Sequence, residues 1–179
     1  MRKLFYAVCS IACVALMVAC SEQQPTLVGK WVSDTINTTE DESAVTMTMN
    51  MDLNEDSTLA VSILAVMDAD QKEAKMHMPI NASFSGKWAD SDNKLEWIVI
   101  DSTKVVKLEQ DSIKIEFGNP EMEMFKDKLI KSLVEEFEKE GSKQFIDGIT
   151  SDEAMSYILN GDELKLINDK DTMIFHRQK

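Results

Sequence analysis

Basic residues are scarce in this chain. Nineteen Lys and Arg stand against 32 Asp and Glu among 179 residues, for a net charge of −13. Such a surface repels a polyphosphate backbone and an anionic bilayer alike, which argues against nucleic acid as a partner and against electrostatic docking on lipid. Histidine is scarcer still, with only His77 and His176. The six glycines form neither a nucleophile-elbow spacing nor a phosphate-cradling loop. The carboxylates are spread over turns and one helix face, so nothing points to paired acid–base work. All three cysteines fall within the first 20 residues, which leaves the rest without a disulfide, a thiol nucleophile or a thiolate metal site. The expectation is a protein that is not an enzyme and holds no cofactor and no metal.

The start of the chain has a different character. Arg2 and Lys3 precede an almost wholly apolar stretch, Leu4 to Val18, and Met17-Val18-Ala19 places a small residue directly before Cys20. At about 15 residues the stretch is too short to span a bilayer, which needs about 20. It reads as a signal peptide over residues 1–19. Met17-Val18-Ala19-Cys20 resembles the lipobox of bacterial lipoproteins, with Met17 where that motif usually has leucine. The resemblance implies cleavage before Cys20, acylation of that cysteine and attachment to a membrane through the acyl chains. Ser21 follows the cysteine, which the lipoprotein sorting pattern associates with the outer membrane. An ordinary signal peptide cleaved nearby is the alternative. Residues 20–26 then form a polar tether containing Pro25, and residues 27–179 a single domain. Loss of Arg2 and Lys3 would leave 17 basic residues against 32 acidic ones, a net of −15.

Three long segments organise that domain. Val45, Met47, Met49, Met51 and Leu53 alternate with polar residues. So do Leu59, Val61, Ile63, Ala65 and Met67, and then Ala74, Met76, Met78, Ile80, Ala82, Phe84, Gly86 and Trp88. Period-2 alternation puts successive side chains on opposite faces of a strand, so each segment has one dry face, here rich in methionine. Leu95, Trp97 and Val99 continue the pattern, and residues 106–117 read as a further hairpin about Glu109-Gln110-Asp111. Asn160-Gly161 predicts a tight turn, with Met173 and Phe175 in the last strand.

The period changes at Asn119-Pro120, a helix N-cap followed by a proline at the first helical position. Met122, Phe125, Leu129, Leu133 and Phe137 form one apolar stripe, and Gly141 is the expected stop, giving an amphipathic helix over about 120–140. Residues 142–152 stay ambiguous, with a helical turn about Phe145 and Ile146 as one reading.

The whole is mainly β: an up-and-down antiparallel barrel of about 8–10 strands with one inserted helix. Gly29-Lys30-Trp31 at its start, the meander and Arg177 in its final strand resemble the lipocalin (calycin) family, in particular the lipocalin-like domains of bacterial lipoproteins. The resemblance implies that Trp31 closes one end of the barrel with Arg177 packed across it as a cation–π pair. The inserted helix precedes the last three strands rather than following them, which departs from the family pattern. A transmembrane barrel is a third architecture, opposed by the small number of aromatics available for girdles.

Met47, Met49, Met51, Ile63, Met76, Met78 and Phe84 are the candidate lining of a pocket for a small apolar or amphipathic ligand, because thioethers adapt to the shape of a guest. The alternative is a non-catalytic interaction or structural module whose barrel is filled by those side chains. Copper binding through Met76-His77-Met78 is a minor reading, since in a strand His77 points away from both sulfurs. Asp52 to Asp56 lacks the glycine and terminal glutamate of a calcium loop and reads as a hairpin tip.

Overall fold

The computed structural model describes residues 26–40, 43–71, 73–149, 154–168 and 171–179. The expected signal peptide, Cys20 and most of the expected tether lie outside the described residues. Eleven strands form: β1 (Gly29–Ser33), β2 (Ile36–Glu40), β3 (Ser43–Leu53), β4 (Thr58–Gln71), β5 (Ala74–Ser91), β6 (Lys94–Val99), β7 (Val105–Leu108), β8 (Lys114–Phe117), β9 (Met155–Asn160), β10 (Glu163–Ile167) and β11 (Thr172–Arg177). Eight of them close into an antiparallel barrel in the order β1-β11-β10-β9-β6-β5-β4-β3 and back to β1.

The other three strands extend this circuit lengthwise. β1 pairs with residues 50–53 of β3, and β2 continues along the same strand at residues 43–47. β5 likewise takes three partners end to end: β6, then β7 at residues 80–83, then β8 at residues 74–77. The expected hairpin over residues 106–117 is therefore not one, because β7 and β8 both pair with β5. An 18-residue strand offers enough edge for three short ones. Pro79, which cannot donate to a ladder, stands in the gap between β7 and β8.

Strand lengths make the barrel lopsided. β3, β4 and β5 run 11, 14 and 18 residues, while β1, β9, β10 and β11 run five or six. At about 3.3 Å per residue, β5 is roughly 60 Å of strand facing roughly 20 Å on the opposite side. A tall wall overshoots a short one.

The helical segment takes the place of the missing height. It opens with a 3₁₀ turn, Pro120–Phe125, capped by the Asn119 side chain accepting from the Glu121 amide at 3.0 Å. α1 (Lys126–Glu136) follows, then a π-turn at Phe137–Gly141, then α2 (Ser142–Ile149). Gly141 thus does not stop the helix near residue 140. A Cβ there would press against the Phe137 ring, so the glycine serves the packing of that ring within a continuing helix. The helical reading of Phe145 and Ile146 holds. Among the described residues no helix is long and apolar enough to cross a membrane.

Tight turns fall where the polar breaks predict them. Asp92 and Asn93 both have positive φ between Ser91 and Lys94, as a type I′ hairpin turn requires. Gly161, with φ of +61°, and Asp162 form the β9–β10 hairpin turn, while Asn160 pairs with Glu163.

Candidate functional site

Cross-strand register arranges the inner face of the tall wall as a ladder. From the short-wall end upward, its rungs are Leu53/Leu59/Gly86, Met51/Val61/Phe84, Met49/Ile63/Ala82, Met47/Ala65/Ile80, Val45/Met67/Met78 and Ala69/Met76/Ile115. The alternation read from the sequence therefore has the right phase on all three strands.

The lower rungs face the short wall and are sealed. Met49, Met51, Ile63 and Phe84 share one core with Trp31, Trp97, Leu164, Leu166 and Phe175, and Met51 and Trp31 have no exposed area. Trp31 lies opposite Arg177 in the β1–β11 register, and the guanidinium carbon sits 4.2 Å from its ring centroid. The Arg177 guanidinium also donates to the carbonyls of Val28 and Thr26 at 2.6 Å each, while the Trp31 indole donates to the Leu27 carbonyl at 2.8 Å. Gly29 has φ of +147°, and a Cβ there would run into Arg177. The Gly-x-Trp motif is thus one physical unit: the glycine clears space for the arginine that covers the tryptophan.

The second Gly-Lys-Trp does something else. Trp88 pairs with Trp97, stays half-buried and donates to the Asn54 carbonyl at 3.1 Å, pinning the β3–β4 turn. The Trp97 indole nitrogen is buried and has no hydrogen-bond partner among the described residues.

One seam of the barrel is thin. β6 and β9 share two register pairs, Lys94 with Ser156 and Leu95 with Met155. α2 compensates, sending Ile146 into the main core with Phe145 and Ile149 packed against it. An ion pair of Lys104 with Asp147 at 3.7 Å ties the helix down. Bonds to Asp101 and Asp147 raise the Lys104 pKa, and the bond from Lys143 holds the Asp147 carboxyl below its usual range. At the seam itself, burial and then the Asp90 carboxylate raise the pKa of Tyr157, whose hydroxyl donates to Asp90 at 3.0 Å.

The upper rungs rise past the short wall. Met76 and Met78 belong to a second, smaller cluster in which Ile130, Leu133 and Val134 of α1 lie over Ile113 and Ile115. Met47, on the rung between, is half-buried against the main core. The seven candidate lining residues thus share one face but not one chamber. Four are sealed, two lie with the helix, and Met47 stands at the border. Beside it, Val45 and Met67 are half-buried and pack into neither cluster, because α1 covers the β5–β8 side of the overshoot and leaves the β3–β4 side. Met67 had the alternation but not the local signal to mark it as uncovered, since that depends on where a distant helix lands.

His77 lies on the outer face, away from Met76 and Met78, with Nδ1 2.7 Å from Asp68 Oδ1. Among the described residues no three His, Cys, Asp or Glu side chains group closely enough to hold a metal ion. No family model matches the sequence, and no curated protein matches it. The closed eight-stranded antiparallel barrel is consistent with a lipocalin-like fold.

Proposed function

We propose that this chain is a lipid-anchored envelope lipoprotein of the lipocalin-like kind, acylated on Cys20 after loss of residues 1–19 and held at the outer membrane. Its barrel is a non-catalytic binder of a small apolar or amphipathic molecule. One observation carries the reading: the inner face of the tall wall is only half covered. Val45, Met47 and Met67 keep exposed area beside a helix that could hold a guest against them. Flexible thioethers suit such a groove, since they reshape at low cost. The sealed lower barrel supports a second reading, an interaction module with no guest, because Met49, Met51, Phe84 and Phe175 fill that interior.

Native mass spectrometry of the full-length protein, extracted in detergent from its own membranes, separates the two. The binding reading expects a lipid-sized noncovalent adduct that disappears in Met67→Glu. Bare protein in every preparation would reject it and leave the filled module. The same spectra test the anchor, because an acyl mass on the N-terminal peptide must vanish in Cys20→Ala.

A further inference from the structure

The outer face of the overshoot carries a cleft of about 590 Å³ with a charged lining. Register sets its outward side chains in two rows, and Ser43, Ala69 and Met76 of the rung between them also line it. Thr39, Ala44, Asp68, His77 and Lys114 lie in one row across β2, β3, β4, β5 and β8. Asp70, Lys75 and Glu116 form the next. In the second row every neighbour is of opposite sign, and Lys75 bonds Asp70 at 2.9 Å. The first row breaks that rule. His77 holds Asp68 through Nδ1, and directly opposite its other side stands Lys114, a second base. Among the described residues Lys114 makes no ion pair. The Asp68 carboxylate fixes the ring so that Nε2 is left for an outside partner, the arrangement by which a carboxylate orients a ligand-binding histidine.

We propose that this cleft binds a small soluble phosphate ester, its phosphate oxygens accepting from His77 Nε2–H and Lys114 Nζ. A divalent cation would meet Lys114 and be repelled. A divalent anion accepts from both groups at once when the ring carries two N–H groups, one donated to Asp68 through Nδ1 and the other to the phosphate through Nε2. The charged groups facing His77 are Asp68 on β4 and Lys114 on β8, with Asp70, Lys75 and Glu116 one row away. His77 and Lys114 lie on the outer face, opposite the side from which Val45, Met47 and Met67 face the apolar groove. The cleft's distance from the Trp31 end also favours a soluble ligand over a headgroup of the anchoring membrane. Nine residues of β4 separate Leu59 from Asp68, roughly 30 Å at ~3.3 Å per residue.

The two histidines supply an internal control, because His176 also sits beside a carboxylate, with Nε2 3.1 Å from Asp34 Oδ1, and does not line this cleft. Full-length protein with ¹⁵N-labelled histidine is titrated with glycerol 3-phosphate, followed by ring nitrogen NMR at pH 5.5 and pH 8. The proposal expects a saturable shift of His77 alone, tighter at pH 5.5, and at least ten-fold weaker binding in Lys114→Gln with the His176 signals unchanged. No saturable shift at His77, or an equal shift at His176, overturns it. A response to phosphatidylglycerol vesicles but not to the soluble ester overturns the assignment of the ligand. Loss of the apolar adduct in Met67→Glu leaves this titration unchanged, so the two sites fail or stand separately.

Discussion

The two ends of the tall wall are built from the same pattern and meet different fates. Met49 and Met51 face Trp31, Leu164 and Phe175 across the barrel and are sealed. Met67 on β4 and Met76 and Met78 on β5 keep the same inward phase on the neighbouring strands, but above the short wall. There a helix covers part of the face and leaves the rest half-buried. Local alternation decides which face is dry; the length of the opposite wall decides whether a dry face becomes core or surface. That difference puts the sealed core at the lower end and the half-covered apolar face, where we propose that a guest binds, at the upper.

The comparison can be broken by substitution, and the largest effect is expected at the seal. Trp31→Ala removes a fully buried aromatic and strands Arg177 beside a void, so it should cost about 3–5 kcal/mol in urea unfolding. A loss under about 1 kcal/mol would mean that the lower end is not the anchor of the fold. Next come paired methionine truncations. Met51→Ala should cost about 2–5 kcal/mol, whereas Met78→Ala, half-buried beside the helix, should cost about 1 kcal/mol. Equal losses would erase the distinction between the two ends.

A smaller effect separates helix from barrel. Asn119→Ala deletes the bond to the Glu121 amide and should cost about 1 kcal/mol, read as faster hydrogen exchange in residues 120–136 with β3 and β4 unchanged. The smallest is at the β3–β4 turn, where the Thr58 hydroxyl at 2.6 Å and then its amide at 3.1 Å donate to Asp56 and hold its carboxyl below the usual value of 3.8. A group depressed in the folded state stabilises it above the unfolded pKa and loses that contribution as pH falls through the folded one. Asp56→Ala should therefore unfold slightly more easily than wild type at pH 5, with the gap closing by pH 2. A gap that stays constant with pH would point to the turn backbone instead.

Much of this was legible in the chain itself. The phase of the alternation, the Asn119 cap and the pairing of Trp31 with Arg177 all follow from local pattern or motif. Each turns on side chains close in sequence or on a well-marked resemblance. The rest depends on long-range partnership. The strands over 105–108 and 114–117 carry hairpin chemistry, yet both are captured by β5, whose length lies in another part of the sequence. Gly141 has the look of a helix end and is instead the space for Phe137. The neighbours of His77 across the sheet, Asp68 and Lys114, are nine and 37 residues away, beyond the reach of any spacing rule.

The central claim is that the groove at the upper end, and not the sealed core, receives an apolar guest. Titration of the full-length protein with an environment-sensitive apolar fluorophore tests it directly, with Met67→Glu as the groove variant. Met124→Glu, on the exposed leading turn of the helix, is the control for a surface patch outside the groove. Saturable binding to wild type, unchanged in Met124→Glu and at least ten-fold weaker in Met67→Glu with an unaltered circular dichroism spectrum, is the predicted result. No binding to wild type, or wild-type affinity in Met67→Glu, would contradict it.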